Sequence, residues 1–274
     1  MKKVGKALLA VAGALIVCAI VLGVLNGLVA KGEWTFGWLD YRYDDTSYHS
    51  GSGSVIAPNA DNLRKIDLDW IDGRVEIVAC QDMCISLSES AESGVSEENE
   101  LRWSLSEDGS VLTVKYRKSS WFFQGTHKEN KTLILRIPQR FFEQLRELNV
   151  TVRSSEVTVT DVQVSALRFT SESGSLTGKG CNVDNLLATS KQGDIRFSTS
   201  ACPSTVDVTT QSGEVTLALP AESSFALQWS SKGGELVSDL PLTQTDGRYV
   251  CGTGAADFRV NSGKGDLLVE KAEE

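Results

Sequence analysis

Five acidic residues recur at one position of a repeated turn: Glu156, Asp194, Glu214, Glu235 and Asp266 each follow a glycine, or the serine that replaces it. Stacked in register, their carboxylates could form a column able to hold a hard cation such as calcium. The plainer reading is that they face water or accept backbone N–H groups, as turn residues do, and no calcium-binding nonapeptide accompanies them. No metal is therefore expected. Only two histidines exist, His49 and His127, neither with a Cys, Asp or Glu at ligand spacing, so a zinc site is not expected either. A hydrolase triad would have to recruit one of them, yet no Gly-x-Ser-x-Gly elbow precedes a helix. The chain reads as a non-enzyme without a cofactor; an enzyme with no recognisable motif is the residual reading.

Two further groups of reactive or sticky side chains need elements to position them. Five cysteines, Cys80, Cys84, Cys181, Cys202 and Cys251, follow the lone Cys18 of the N-terminal apolar stretch. Cys181 and Cys202 lie about one repeat apart and could face each other across neighbouring layers as a disulfide; Cys80 and Cys84 could form a second. Small buried thiols are the alternative, and an odd count leaves at least one unpaired. The segment Ser119-Ser120-Trp121-Phe122-Phe123-Gln124-Gly125 stands between two strands, where polar turn residues are the norm. Three adjacent rings cannot all point inward from a strand, because successive side chains alternate. Trp121, Phe122 and Phe123 are the candidate contact with a partner or membrane; a plug closing the first end of the fold is the rival.

The elements beneath these residues are repeats. Turns centred on Ser155, Gly174, Gly193, Gly213, Gly234 and Gly265 are spaced by 19, 19, 20, 21 and 31 residues, each with alternating apolar runs on both sides. In the clearest copy, Val206 and Val208 precede the turn, and Val215, Leu217 and Leu219 follow it. Period two on both sides of a tight turn, at about 20 residues per copy, predicts the coils of a β-solenoid. Val157, Leu176, Ile195, Val215 and Leu236 should then occupy one interior slot, each beneath the next. Residues 66–77 look like a capping version of the same unit, 101–115 like a hairpin about Asp108-Gly109, and 141–147 like one or two helical turns. The longer last interval contains a Gly-rich excursion at 243–256, expected to shield the C-terminal coil.

The Ile-x-Leu-x-Trp-x-x-Gly-x-Val-x-Ile opening at 66–77, the Leu-x-Leu-x-Ile-Pro strand at 133–138 and the Ser-Gly-Glu/Asp-Val turns resemble the β-strand-repeat domain family known as the "putative adhesin" family. Some of its members are linked to Lia-type envelope-stress operons. The resemblance covers roughly residues 63–270 and implies an all-β fold like a right-handed parallel β-helix, an extracytoplasmic location and no catalytic residues.

The N-terminus supplies the address. Lys2, Lys3 and Lys6 precede a charge-free stretch, residues 7–30, which as a helix would span about 36 Å and cross a bilayer. The cationic bias before the span predicts a single-pass protein with residues 1–6 cytoplasmic and the C-terminal part outside. The apolar stretch exceeds that of a signal peptide, and Leu28-Val29-Ala30 is a poor cleavage site, so an uncleaved anchor is expected. Residues 31–62 combine an aromatic cluster, Trp34 to Tyr43, with a Ser- and Gly-rich stretch that reads as a flexible linker; residues 63–274 form the repeat domain. Beyond the first lysines, 24 basic residues stand against 36 acidic ones, a formal charge near −12 that disfavours nucleic acid. The predicted function is a membrane-anchored surface module that binds or adheres to a protein or envelope polymer. The alternative is a structural or regulatory scaffold of an envelope-stress system acting through its span, where Gly23-x-x-x-Gly27 permits close helix packing.

Overall fold

Alternating sequence produces alternating burial throughout. In the strand Lys65–Cys80, Ile66, Leu68, Trp70, Val75 and Ile77 are all buried while the residues between them, Asp72 excepted, are not. The computed structural model describes residues 41–55, 60–119 and 130–272, and nearly all of its regular structure is strand. It divides into two units. In the smaller, residues 1–44 with 119–126, Tyr41 and Tyr43 meet edge to face and the Tyr43 N–H donates to Ser119 Oγ at 3.1 Å. The larger holds residues 45–118 and 127–274 and contains the repeats.

Each coil runs through a strand, a turn and a second strand, and consecutive coils pair in parallel. Before the turn, Ile66 pairs with Leu148, Leu148 with Leu167, Leu167 with Leu186 and Leu186 with Val206. After it, Val75 pairs with Val157, Val157 with Leu176, Leu176 with Ile195 and Ile195 with Val215. These side chains are buried and form the continuous interior of an all-β solenoid. The step from Gly193 to Gly213 advances one layer.

The last two copies break the sequential order. Val215 pairs with Leu267 rather than Leu236, and Leu267 pairs in turn with Leu236. On the other ladder, Val206 pairs with Phe258, and Phe258 with Leu227. The C-terminal coil therefore slots between the Gly213 coil and the Gly234 coil, and Leu236 sits one layer further out than its place in the sequence implies. The 243–256 excursion is a hairpin, Thr243–Thr245 with Arg248–Cys251, whose second strand covers Phe225, Ala226 and Leu227 of the outermost coil. It shields the Gly234 coil, not the C-terminal one.

Two other expectations change. Strands His49–Ser50 and Gly53–Val55 pair antiparallel with 102–103 and 85–87, so the segment expected as a flexible linker joins the fold through its backbone. Its Ser- and Gly-rich composition hides this, because in these two strands only Val55 is buried. In place of helical turns at 141–147, one 3₁₀ turn, Gln139–Phe141, leads into a strand beginning at Glu147, with Phe141 and Leu145 buried. The hairpin about Asp108-Gly109 is present, with Leu105 opposite Leu112. Residues 7–30, expected as a membrane helix, lie outside the described residues; among those described, no helix is long and apolar enough to cross a membrane.

Candidate functional site

The turns form one column. A Cβ on Gly174, Gly193, Gly213, Gly265 or Gly234 would collide with the carbonyl oxygen of the turn residue one layer down, namely Ser155, Gly174, Gly193, Gly213 and Gly265. Of these five, only Gly193 has positive φ, so close backbone approach is the main reason for the glycine repeat. Three residues before each glycine stands a hydroxyl: Ser171, Ser190, Thr210, Ser231 and Ser262. The N–H of Gly174, of Gly234 (2.7 Å) and of Gly265 (2.8 Å) donates to its own serine. This second column is visible in the sequence as Ser/Thr-x-x-Gly and belongs to the turn's construction.

Four of the five carboxylates beside the glycines, those of Glu156, Asp194, Glu214 and Asp266, meet neighbouring donors. Arg196 reaches Asp194 at 2.9 Å and Glu214 at 3.1 Å, and the Glu214 N–H donates to Asp194 Oδ1 at 3.0 Å. The Glu235 N–H donates to Asp266 Oδ1 at 2.8 Å, and Arg74 reaches Glu156 at 3.4 Å. Among the described residues, no group of three His, Cys, Asp or Glu side chains is placed to hold a metal ion.

Beneath the first layers lies a charged centre without a sequence signal. Lys131 is fully buried, and its ammonium donates to Glu89 Oε2 at 2.9 Å, to the Asn99 carbonyl at 2.6 Å and to the Tyr116 carbonyl. Its Nζ also lies 4.1 Å from the Tyr116 ring centre and 4.8 Å from that of Trp70. The other oxygen of Glu89 accepts the Leu101 N–H, and the Tyr116 hydroxyl donates to the buried Asp72 at 2.8 Å. Every ammonium proton has an acceptor, which is what a buried charge requires. The pair ties the loop around Asn99 to the strands beneath it.

The chain neighbours of this pair, Ser90, Asn130 and Thr132, line a groove of about 610 Å³ together with Gly73, Arg74, Glu92, Ser154 and Glu156. Gly73 and Asn130 have positive φ, and a Cβ on Gly73 would collide with the Lys131 carbonyl. The floor is thus built from tightly apposed backbone, while the walls carry hydrogen-bonding and charged groups of both signs. Trp121, Phe122 and Phe123 lie outside the described residues, as does His127; Asn130 is the first described residue after their segment. His49 packs on Trp103 with ring centres 4.4 Å apart.

The five described cysteines are free thiols. Cys181 and Cys202 are not joined: Cys181 is buried at a corner with its Sγ directed at the Val159 carbonyl, and Cys202 lies against the Pro203 carbonyl. Burial pushes the Cys181 thiol above its ordinary range. Cys251, also raised by burial, feels the charge of Cys202 in addition.

Stacked strand–turn–strand coils locked by a glycine column define a β-solenoid-like repeat protein. The chain belongs to the Toastrack DUF4097 family, whose profile matches residues 63–204. Among solved structures, a "putative cell adhesion protein" from Clostridium sporogenes shares the fold: it covers 82% of this chain and 99% of its own, with a TM-score of 0.54 at 10% identity. A "putative adhesin" from Bacteroides fragilis covers 82% and 97% at 11% identity with a TM-score of 0.42. No curated protein matches the chain.

Proposed function

We propose that this protein is a non-enzymatic binding module, held in the membrane by residues 7–30 and displayed outside, whose groove at Arg74 and Asn130 engages a protein or polymer of the cell envelope. The observation that carries this reading is the groove itself, a polar opening of about 610 Å³ set on stacked layers and lined by Arg74, Glu92, Asn130 and Glu156 among others. Trp121, Phe122 and Phe123, three consecutive large rings in the sequence, are a second, apolar contact in this reading. The cell-adhesion description of the Clostridium protein of like fold points the same way. The lysines before the apolar stretch support the topology.

The test is affinity capture of envelope components by the detergent-solubilised full chain, compared with Trp121→Ser/Phe122→Ser and with Arg74→Ala/Asn130→Ala. The reading expects both variants to lose the captured component while melting within a few degrees of the parent. A fall in melting temperature with capture intact would return the aromatic segment to a structural plug. Protease added to intact cells should digest the repeat domain; full protection would reverse the topology.

A further inference from the structure

Along the outer face of the pre-turn ladder, one row begins at the Lys115–Asp69 ion pair and is uncharged from Thr151, the partner of Asp69, onward. Thr151 pairs with Thr170, Thr170 with Thr189, Thr189 with Thr209, Thr209 with Asn261 and Asn261 with Ser230. All six are exposed, and among the described residues none has a side-chain hydrogen bond or ion pair. At the usual spacing of parallel strands the row runs about 24 Å straight along the stack. The flanking rows carry charge: Arg168, Asp207 and Arg259 on one side, Arg153, Glu172 and Lys191 on the other. Threonine alone would follow from strand propensity, but the row continues through Asn261 and Ser230, and Asn is depleted in strands. What the six share is an uncharged hydrogen-bonding group, in a chain of net charge −9.

We propose that this strip is a docking surface for a linear, uncharged polysaccharide lying along the stack axis. The proposal deepens the binding-module reading and rests on it. A neutral strip offers no ionic attraction to a polyanion or polycation, whereas regularly spaced hydroxyl and amide groups can donate to and accept from the hydroxyls of a polymer that repeats. Parallel strands keep the row straight, and the six strands that carry it are bonded into one ladder, so the surface is ordered before the ligand arrives. Because the six side chains point outward, they can be replaced without touching the interior.

The experiment is co-sedimentation of the full chain, in detergent, with insoluble chitin and cellulose as neutral polymers, and with polygalacturonate-coated beads as an anionic one. The expected result is retention on at least one neutral polymer and not on the anionic one. Thr170→Lys/Thr189→Lys should cut that retention at least tenfold, and Thr170→Val/Thr189→Val, which keeps shape and strand propensity, should also weaken it. Unchanged melting temperatures would show that both variants fold. Retention that ignores both threonine variants but falls in Arg74→Ala/Asn130→Ala moves binding to the groove, overturning the strip and leaving the binding-module reading in place. Absence of retention on either neutral polymer overturns the strip, and the envelope capture experiment then decides the wider reading separately.

Discussion

Gly213 lies over Gly193 so closely that a β-carbon on the upper residue would enter the carbonyl oxygen of the lower one. The backbone of one layer thus seats directly on the next, and the turn column is the least adjustable line in the solenoid. Gly213→Ala should lower unfolding free energy by about 1–3 kcal/mol, the usual cost of overpacking where backbone must shift. Gly233→Ala is the matched control, since a Cβ there meets nothing within 4 Å and φ is not positive. Denaturant midpoints measured side by side check this; equal midpoints for the two variants would refute the contact.

The interior was the legible part of the sequence. Period-two alternation and the 19- to 20-residue spacing place Val157, Leu176, Ile195 and Val215 in one stacked slot, as found. The reason for the glycines was less visible, because a close approach depends on the layer below, which no single turn describes. The placement of Leu236 failed for a related cause: the copies at Gly234 and Gly265 carry similar apolar patterns, and nothing in either says which layer it joins. Lys131 sits in a polar run, Asn130-Lys131-Thr132, that reads as surface, and its burial depends on Glu89, 42 residues away. The threonine row needs the register of six strands before it exists at all.

Removing one member of the buried pair leaves an uncompensated charge. Lys131→Met alone or Glu89→Leu alone should each destabilise the chain by about 3–5 kcal/mol, whereas the double variant should recover a large part of the loss. The comparison is a double-mutant cycle read by denaturant unfolding. Additive losses would mean that the two charges do not depend on each other.

The pH dependence draws on Asp108 at the acid end and on the buried thiols, Cys181 and Cys251, at the alkaline end. Asp108 is held down to about 2 from 3.8 by the Ser106 hydroxyl and then by the Ser110 N–H and hydroxyl, so its contribution is present above pH 3.8 and lost as pH falls toward 2. Cys181 is pushed up from 9.0 by burial; the unfolded chain loses that proton first, so stability is full below pH 9 and declines as pH rises beyond it. Asp108→Ala should soften the acid limb only, and Cys181→Ala should soften the alkaline limb only, leaving there the part that Cys251 contributes. Thiol labelling of the native chain at pH 8 should modify Cys84 and Cys202 before the buried Cys181 and Cys251. A disulfide between Cys181 and Cys202 in the purified chain, seen by peptide mass mapping, would contradict the free thiols.

The intercalated C-terminal coil makes a deletion prediction that a solenoid in sequential order would reverse. Phe258 stacks on Phe225 with ring centres 4.6 Å apart and is also paired with Val206 of the layer below, so the C-terminal coil is bonded on both sides. Ending the chain after Gly254 should therefore strip the support from residues 225–238, and limited proteolysis should cut there while the part up to Leu219 resists. Deleting residues 222–253 should do far less harm, because it joins Leu219 to Ala256 through four residues and leaves the C-terminal coil on the layer it already occupies. In a solenoid stacked in sequence order, truncation after Gly254 would remove only the last layer and leave 225–238 protected. Proteolytic resistance of 225–238 in the truncated chain, together with unfolding of the internally deleted one, would overturn the observed layer order.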